Sequence, residues 1–268
     1  MTVVILEFIY LVLRVAPDTW WLWSAIFLFF INILLAFIGP ILIFPIFNKF
    51  EPLGDEFVEL EQRLFEIAKK AGVEVKGVYK FDMSLRTRQA NAGLTGLAGS
   101  RRIIIGDTLL THFTPDEVET IMAHELGHQA NKDIPVGLIL YGIITLAGLY
   151  IADSMLRFAD HLFGINQVGD IASLPIFAAV LGILSVLSLP VMNTYSRWRE
   201  KRADEYALRL TGNGAAFASA LRRLANQNLA DVNPDPWIEF FLYSHPALSK
   251  RIRMALSGEI KAISNYQN

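Results

Sequence analysis

Within residues 114–133 stands His124-Glu125-Leu126-Gly127-His128, an H-E-x-x-H pattern. Residues four apart share one face of a helix, so the two histidines would project side by side and grip one metal ion. Glu125, three before His128, would reach a water held at that ion. Two imidazole ligands and a carboxylate base are what a zinc hydrolase needs. The reading requires a helix, and the residues before the motif supply one. Thr114 is a good N-cap, Pro115 suits the first helical position, and Glu117 completes a capping box. Val118, Ile121, Met122 and Leu126 then recur at helical spacing.

A catalytic zinc takes three protein ligands and keeps a fourth position open. No third histidine lies near the motif. Glu200 and Asp204, four apart on a second charged helix, are the candidates: one can ligate while the other orients a histidine through its free N–H. His245, at the entry of a short basic helix over residues 247–256, either donates a hydrogen bond to a developing oxyanion or caps that helix. Arg251 reads as a substrate carboxylate clamp, an ion-pair partner or an exposed charge. His112 and His161 have no companions and are read as non-functional.

The rest of the chain is strongly apolar. Of its 268 residues 53% are hydrophobic and 19% charged, too apolar for an ordinary soluble domain. There is no cysteine, which excludes disulfides and Cys-ligated metals, and the net charge of −2 argues against nucleic acid as a partner. Residues 19–48, 134–152 and 171–196 carry no charge, and each run is long enough for a bilayer span of about 20 residues. Residues 1–15 are a fourth apolar segment, interrupted by Glu7 and Arg14, and read as a short span or an interfacial helix. Of the 24 Lys and Arg, all but Arg14 and Arg157 lie in 49–132 or from 197 onward. The positive-inside bias places both regions in the cytoplasm, so Glu200 shares a side with His124.

Between the first span and the motif, residues 53–71 read as an amphipathic helix with Phe57, Leu60, Leu64 and Ile67 on one face and Gly72 as its stop. Residues 88–94 and 101–105 read as strands joined by a Gly-rich turn, with residues 103–105 buried. The first strand, around Asn91 and Ala92, is poor in large side chains. It is either a sheet edge able to hold an extended peptide or an ordinary polar edge.

Taken together these residues resemble the integral-membrane gluzincin proteases, that is, the type 1 CAAX prenyl endopeptidases and the bacterial HtpX quality-control proteases. The resemblance runs from about Phe44 to Leu256. It is carried by Pro45-Ile46-Phe47-Asn48-Lys49-Phe50, Asn91-Ala92 leading to Gly96, Asp107-Thr108-Leu109-Leu110, the H-E-x-x-H motif, Ser196-Arg197 through Glu200 to Asp204, and Ser244-His245-Pro246. It implies that His124, His128 and Glu200 bind one Zn2+ per chain, that Glu125 is the general base and acid, and that Asp204 orients a ligand. It further implies that Asn91 and Ala92 line the substrate-binding edge, with His245 and Arg251 supporting the site.

The expected fold is a mainly α integral membrane protein. Three to four transmembrane helices would carry a cytoplasmic α+β zincin-like catalytic domain with a small antiparallel sheet. Residues 1–48 are N-terminal membrane segments, 49–133 the first catalytic part, 134–196 a transmembrane hairpin, and 197–268 the helical part with the third ligand. The expected activity is hydrolysis of peptide bonds in membrane-associated or misfolded membrane proteins, or in CAAX-type C-termini. Partners would be a peptide or protein substrate and the lipid bilayer, in the inner membrane of a prokaryote. Two rivals are a catalytically silent zinc-containing scaffold or chaperone, and a small transporter, which the near absence of intramembrane charge disfavours.

Overall fold

In the computed structural model of the chain, residues 2–85, 87, 89–96, 100–164 and 169–266 are described. They fall into two compact units, Met1–Ala36 with Ile134–Val191, and Phe37–Asp133 with Met192–Asn268.

The first unit holds helices α1 (Thr2–Val15), α2 (Trp20–Ile38), α7 (Asp133–Phe163) and the first half of α8 (Leu174–Thr211). The first unit's core joins Ile9 and Leu13 of α1 to Trp20 of α2, Leu149, Ala152 and Leu156 of α7, and Phe177 of α8. The buried carboxylate of Asp153 is paired on both oxygens. Trp20 Nε1 donates to Asp153 Oδ1 at 2.7 Å, and Arg157 Nε donates to Asp153 Oδ2 at 2.9 Å. Arg157 also donates to the Pro17 carbonyl, closing the turn between α1 and α2. Three helical stretches are long and apolar enough to cross a membrane: Trp20–Ile38, Asp133–Ala159 and Ile171–Thr211. α1 is not among them; its 14 residues would extend about 21 Å, short of a hydrocarbon core about 30 Å thick. Gly39 and Pro40, past the end of α2, open a π-helical turn over Gly39–Ile43 that leads into α3 (Phe44–Phe47).

The second unit is built on a four-stranded sheet in the order β1 (Phe50–Pro52), β2 (Val78–Phe81), β4 (Arg102–Gly106), β3 (Ala92–Thr95). The sheet is mixed, which corrects the antiparallel expectation. β3 and β4 form the antiparallel pair, but β4 inserts between β3 and β2 and runs parallel to β2. Two reversals between β2 and β4 restore the original direction, so the inner pair must be parallel. β1 was not foreseen, because a three-residue strand containing Glu51 and Pro52 carries almost no alternating pattern. β3 starts four residues later than expected; Arg88 and the turn residues 97–99 lie outside the described residues.

Ile103 and Ile105 point into a core with Val78, with Leu60, Leu64 and Ile67 of α4 (Val58–Lys70), and with Val118, Met122 and Leu126 of α6 (Pro115–Ala130). Gly72, at φ +70°, stops α4 as expected, and Gly212, at φ +64°, stops α8 in the same way. α5 (Asp107–His112), α9 (Gly214–Gln227), α10 (Pro236–Leu242) and α11 (Leu248–Tyr266) complete the unit.

The N-terminus of α6 is fixed by Thr114 and Glu117, whose capping box is complete. Glu117 is buried and also accepts from Ser219 Oγ at 2.6 Å and Arg223 Nε at 2.9 Å, pinning α9 to α6. Burial alone would push its carboxyl up; the donors Ser219, Thr114 N–H and Arg223 outweigh this and hold it below its ordinary 4.5. A folded value below the unfolded one contributes stability above pH 4.5 that is lost as the pH falls through the folded value. Glu117→Gln should therefore be less stable than the parent by about 1–2 kcal/mol at neutral pH. That gap should close on acidification below 4.5, as read from thermal melts in detergent.

Candidate metal centre

α6 carries His124, Glu125 and His128, and α8 carries Glu200 and Asp204. They meet because the two helices touch backbone to backbone. A Cβ on Gly127 would stand 3.0 Å from Ala203 Cα and 3.1 Å from the Ala203 carbonyl oxygen. Any Cβ there would force the α8 backbone to give way, and Ala203 lies between Glu200 and Asp204 in sequence.

The result is a convergence of three ligand atoms from His124, His128 and Glu200, all within 4.8 Å of one another. The two Nε2 atoms are 3.1 Å apart. Glu200 places Oε2 at 3.4 Å from His124 Nε2 and Oε1 at 3.5 Å from His128 Nε2. Two atoms each bound at about 2.0–2.1 Å to one tetrahedral ion stand about 3.3 Å apart, so the donor set fits zinc. Among the described residues no fourth His, Cys, Asp or Glu joins the group.

Each histidine has its other nitrogen against a carboxylate, which turns Nε2 toward the shared point. Asp204 Oδ1 lies 2.8 Å from His124 Nδ1. Asp133 Oδ2 lies 2.6 Å from His128 Nδ1. Sequence reasoning missed Asp133. Its place depends on Lys132, held in the left-handed conformation at φ 54°, which swings the first residue of α7 back toward α6. An acidic residue one turn past the second histidine, at a helix end, was the available signal.

Arg251, one of three open readings, is an ion-pair partner. Its Nε and Nη2 fork onto Asp204 Oδ2 and Oδ1 at 2.7 and 2.6 Å, and it is buried. His245 Nε2 stands 3.4 Å from Glu200 Oε2 on a half-open side chain, with Nδ1 3.0 Å from Ser244 Oγ. Burial opposes charge on His124, yet its contacts with Asp204 and Glu200 prevail and raise its pKa to about 9. Burial pushes Glu125 up and His245 down. A carboxylate raised from the ordinary range is a better base near neutral pH.

A cavity of about 410 Å³ opens on this group. It is lined by Ala92 at the start of β3, by Ala90 and Asn91 just before it, and by the apolar Ile121, Phe217 and Leu221. β3 stands at the end of the sheet order, bonded to β4 alone among the described strands. The Asn91 carbonyl continues that ladder by accepting from Gly106 N at 2.8 Å. Asn91 and Ala92 thus line the same cavity as His124 and Glu125.

The chain matches the profile of peptidase family M48 over residues 55–259. The chain belongs to peptidase family M48. It is 33% identical over 258 residues to an uncharacterized metalloprotease, YhfN, of Bacillus subtilis, covering 95% of this chain and 60% of that protein. It is 32% identical to CAAX prenyl protease 1 of Saccharomyces cerevisiae, covering 85% of this chain and 53% of the relative. Protease HtpX of Pseudomonas entomophila is 30% identical over 72% of this chain and 69% of its own length. The crystal structure of S. mikatae Ste24p superposes with a TM-score of 0.82 at 29% identity, covering 95% of this chain and 63% of that one. The chain therefore spans a little over half the length of the first two of these relatives. With its three long apolar helices and this M48 kinship, it is an integral membrane protein.

Two substitutions probe the M48 centre. Asp133→Ala should weaken Zn2+ binding about 10–100-fold in a chelator competition while leaving helix content unchanged. Gly127→Val should separate α6 from α8, lowering stability by about 1–3 kcal/mol and loosening metal binding further, because Glu200 moves with α8.

Proposed function

We propose that this M48 member is a membrane-embedded zinc-dependent endopeptidase holding one Zn2+ per chain between His124, His128 and Glu200. The observation that carries the reading is the convergence of those three side chains beside Glu125 in a cavity bordered by β3, which pairs with β4 alone among the described strands. When bound, the ion supplies Lewis acidity, bringing the pKa of a coordinated water near 7 and polarising the scissile carbonyl.

The chain's own residues do the rest. An extended peptide lies along β3, its backbone bonding to the free edge near Asn91 and Ala92, which sets the scissile bond against Glu125. Glu125 takes a proton from the attacking water and returns it to the leaving amine nitrogen. His245 offers an N–H beside Glu200 to the developing oxyanion. Asp204, itself held by Arg251, keeps His124 in the tautomer that presents Nε2.

The proposed substrates are peptide bonds of membrane-associated or misfolded membrane proteins, or CAAX-type C-termini. Relatives named as CAAX prenyl protease 1 and protease HtpX support those classes. The clustering of basic residues supports a cytoplasmic catalytic side, in the inner membrane of a prokaryote. A purely structural zinc, as in a scaffold or chaperone, normally has all four positions filled by protein. The open cavity and three-residue donor set favour catalysis instead.

Glu125→Gln should keep stoichiometric zinc and lose about 10²–10⁴-fold in cleavage of an unfolded membrane substrate. Chelation should silence the parent enzyme and zinc should restore it. A Gln variant as active as the parent, free of contaminating protease, would overturn the mechanism; stoichiometric zinc without cleavage by the parent would favour the scaffold.

A further inference from the structure

α10 turns its single ionisable side chain inward and its rings outward. Glu239 is buried, accepting from Ala247 N at 3.0 Å and from Lys250 Nζ at 2.5 Å. The opposite face carries Trp237, 72% exposed, with Ile238, Phe241 and Leu242 also exposed. Trp237 and Phe241, one turn apart, stack at 6.4 Å. A dense apolar patch of this kind is a contact surface, since water penalises it by about 25 cal/mol per Å².

What α10 is tied to identifies the contact. Asn193 Nδ2 donates to the Phe241 carbonyl at 2.6 Å. Arg197 Nη1 donates to the carbonyls of Glu239 at 2.8 Å and Tyr243 at 2.7 Å. The Phe241 and Tyr243 carbonyls are ones that the end of a short helix leaves without an intrahelical donor, while that of Glu239 also accepts from Tyr243 N at 3.3 Å. Asn193 and Arg197 straddle the point on α8 where the uncharged run 171–196 ends, and Arg197 is the first charge beyond it. That run is about 39 Å long at 1.5 Å per residue, more than a hydrocarbon core of about 30 Å, so its end reaches headgroup depth. The clamp holds α10 at that level. Trp and Phe concentrate in this layer, and amphipathic helices lie in it on their apolar face.

We propose that α10 is an interfacial membrane anchor, seated at the headgroup–acyl boundary with Trp237, Ile238, Phe241 and Leu242 toward the lipid chains. No cation lies on α10, so the partner is the apolar layer of a lipid surface rather than its headgroup charge. Tyr243, His245 and Pro246 follow directly and line the cavity with His124 and Glu125. The anchor thereby sets the height of one cavity wall at the lipid surface.

The chain contains no cysteine, which makes single-site labelling direct. The full-length protein bearing Trp237→Cys or Phe241→Cys, nitroxide-labelled, would be placed in phosphatidylcholine nanodiscs, with exposed Lys201→Cys as the water reference. Collision rates with oxygen and with a neutral nickel chelate would be measured by power-saturation EPR. The expected result is oxygen favoured over nickel at 237 and 241 and nickel favoured at 201, unchanged by added phosphatidylglycerol. Nickel access at 237 and 241 equal to that at 201 would overturn the proposal. Low access to both reagents would also overturn it, assigning the face to a second copy or a protein partner. Insertion seen only with anionic lipid would overturn the apolar basis. Leu242→Cys supplies the same reading should a ring substitution disturb the fold.

Discussion

Everything at the metal centre depends on one close approach. α6 and α8 must come near enough for a glutamate on one to face two histidines on the other, and Gly127 against Ala203 is where the backbones allow it. The H-E-x-x-H pattern specifies the two ends and the base but leaves the middle positions to packing. Here Leu126 is buried in the core and Gly127 admits the second helix. A motif noted for its chemistry is thus also a helix-packing motif, and the position of Glu200, the candidate third ligand, follows from the second role.

Around that contact the charges are arranged in matched pairs. His124 faces Asp204, Asp204 is gripped by Arg251, and His128 faces Asp133, itself 3.4 Å from Arg199 Nε. Isolated ions would be costly in such a setting, but each here has an opposite partner, and the two carboxylates fix which imidazole nitrogen is free. Electrostatic satisfaction and ligand orientation are one arrangement, so rigidity of the centre comes from polar contacts where the surrounding core supplies only shape.

How much of this was legible follows from how local the determining chemistry is. The capping box at Thr114 and Glu117, the stops at Gly72 and Gly212, and the apolar faces of α4 and α6 depend on near neighbours, and sequence spacing reveals them. The approach of Glu200 to His124 is non-local, yet the charge asymmetry of the loops put both on one side of the membrane. The mixed sheet was not legible, since whether β4 lies inside or outside β3 depends on pairing with β2, which no pattern within β4 encodes. Asp133 escaped because its direction depends on one backbone angle at Lys132. Arg251 offered three readings until its bidentate contact with Asp204 chose among them. β1 and α10 are short, and a run of three or seven residues barely displays a period.

The order of the ligands along the chain has a consequence for biosynthesis. His124 and His128 leave the ribosome before α7, and Glu200 only after most of α8. The candidate triplet is therefore complete only after α7 and most of α8 have been made and the chain has returned to α6. A nascent chain holding only the two histidines has half of a gripping surface and no third donor. A chain shorter than this therefore carries at most the two histidines of the candidate site.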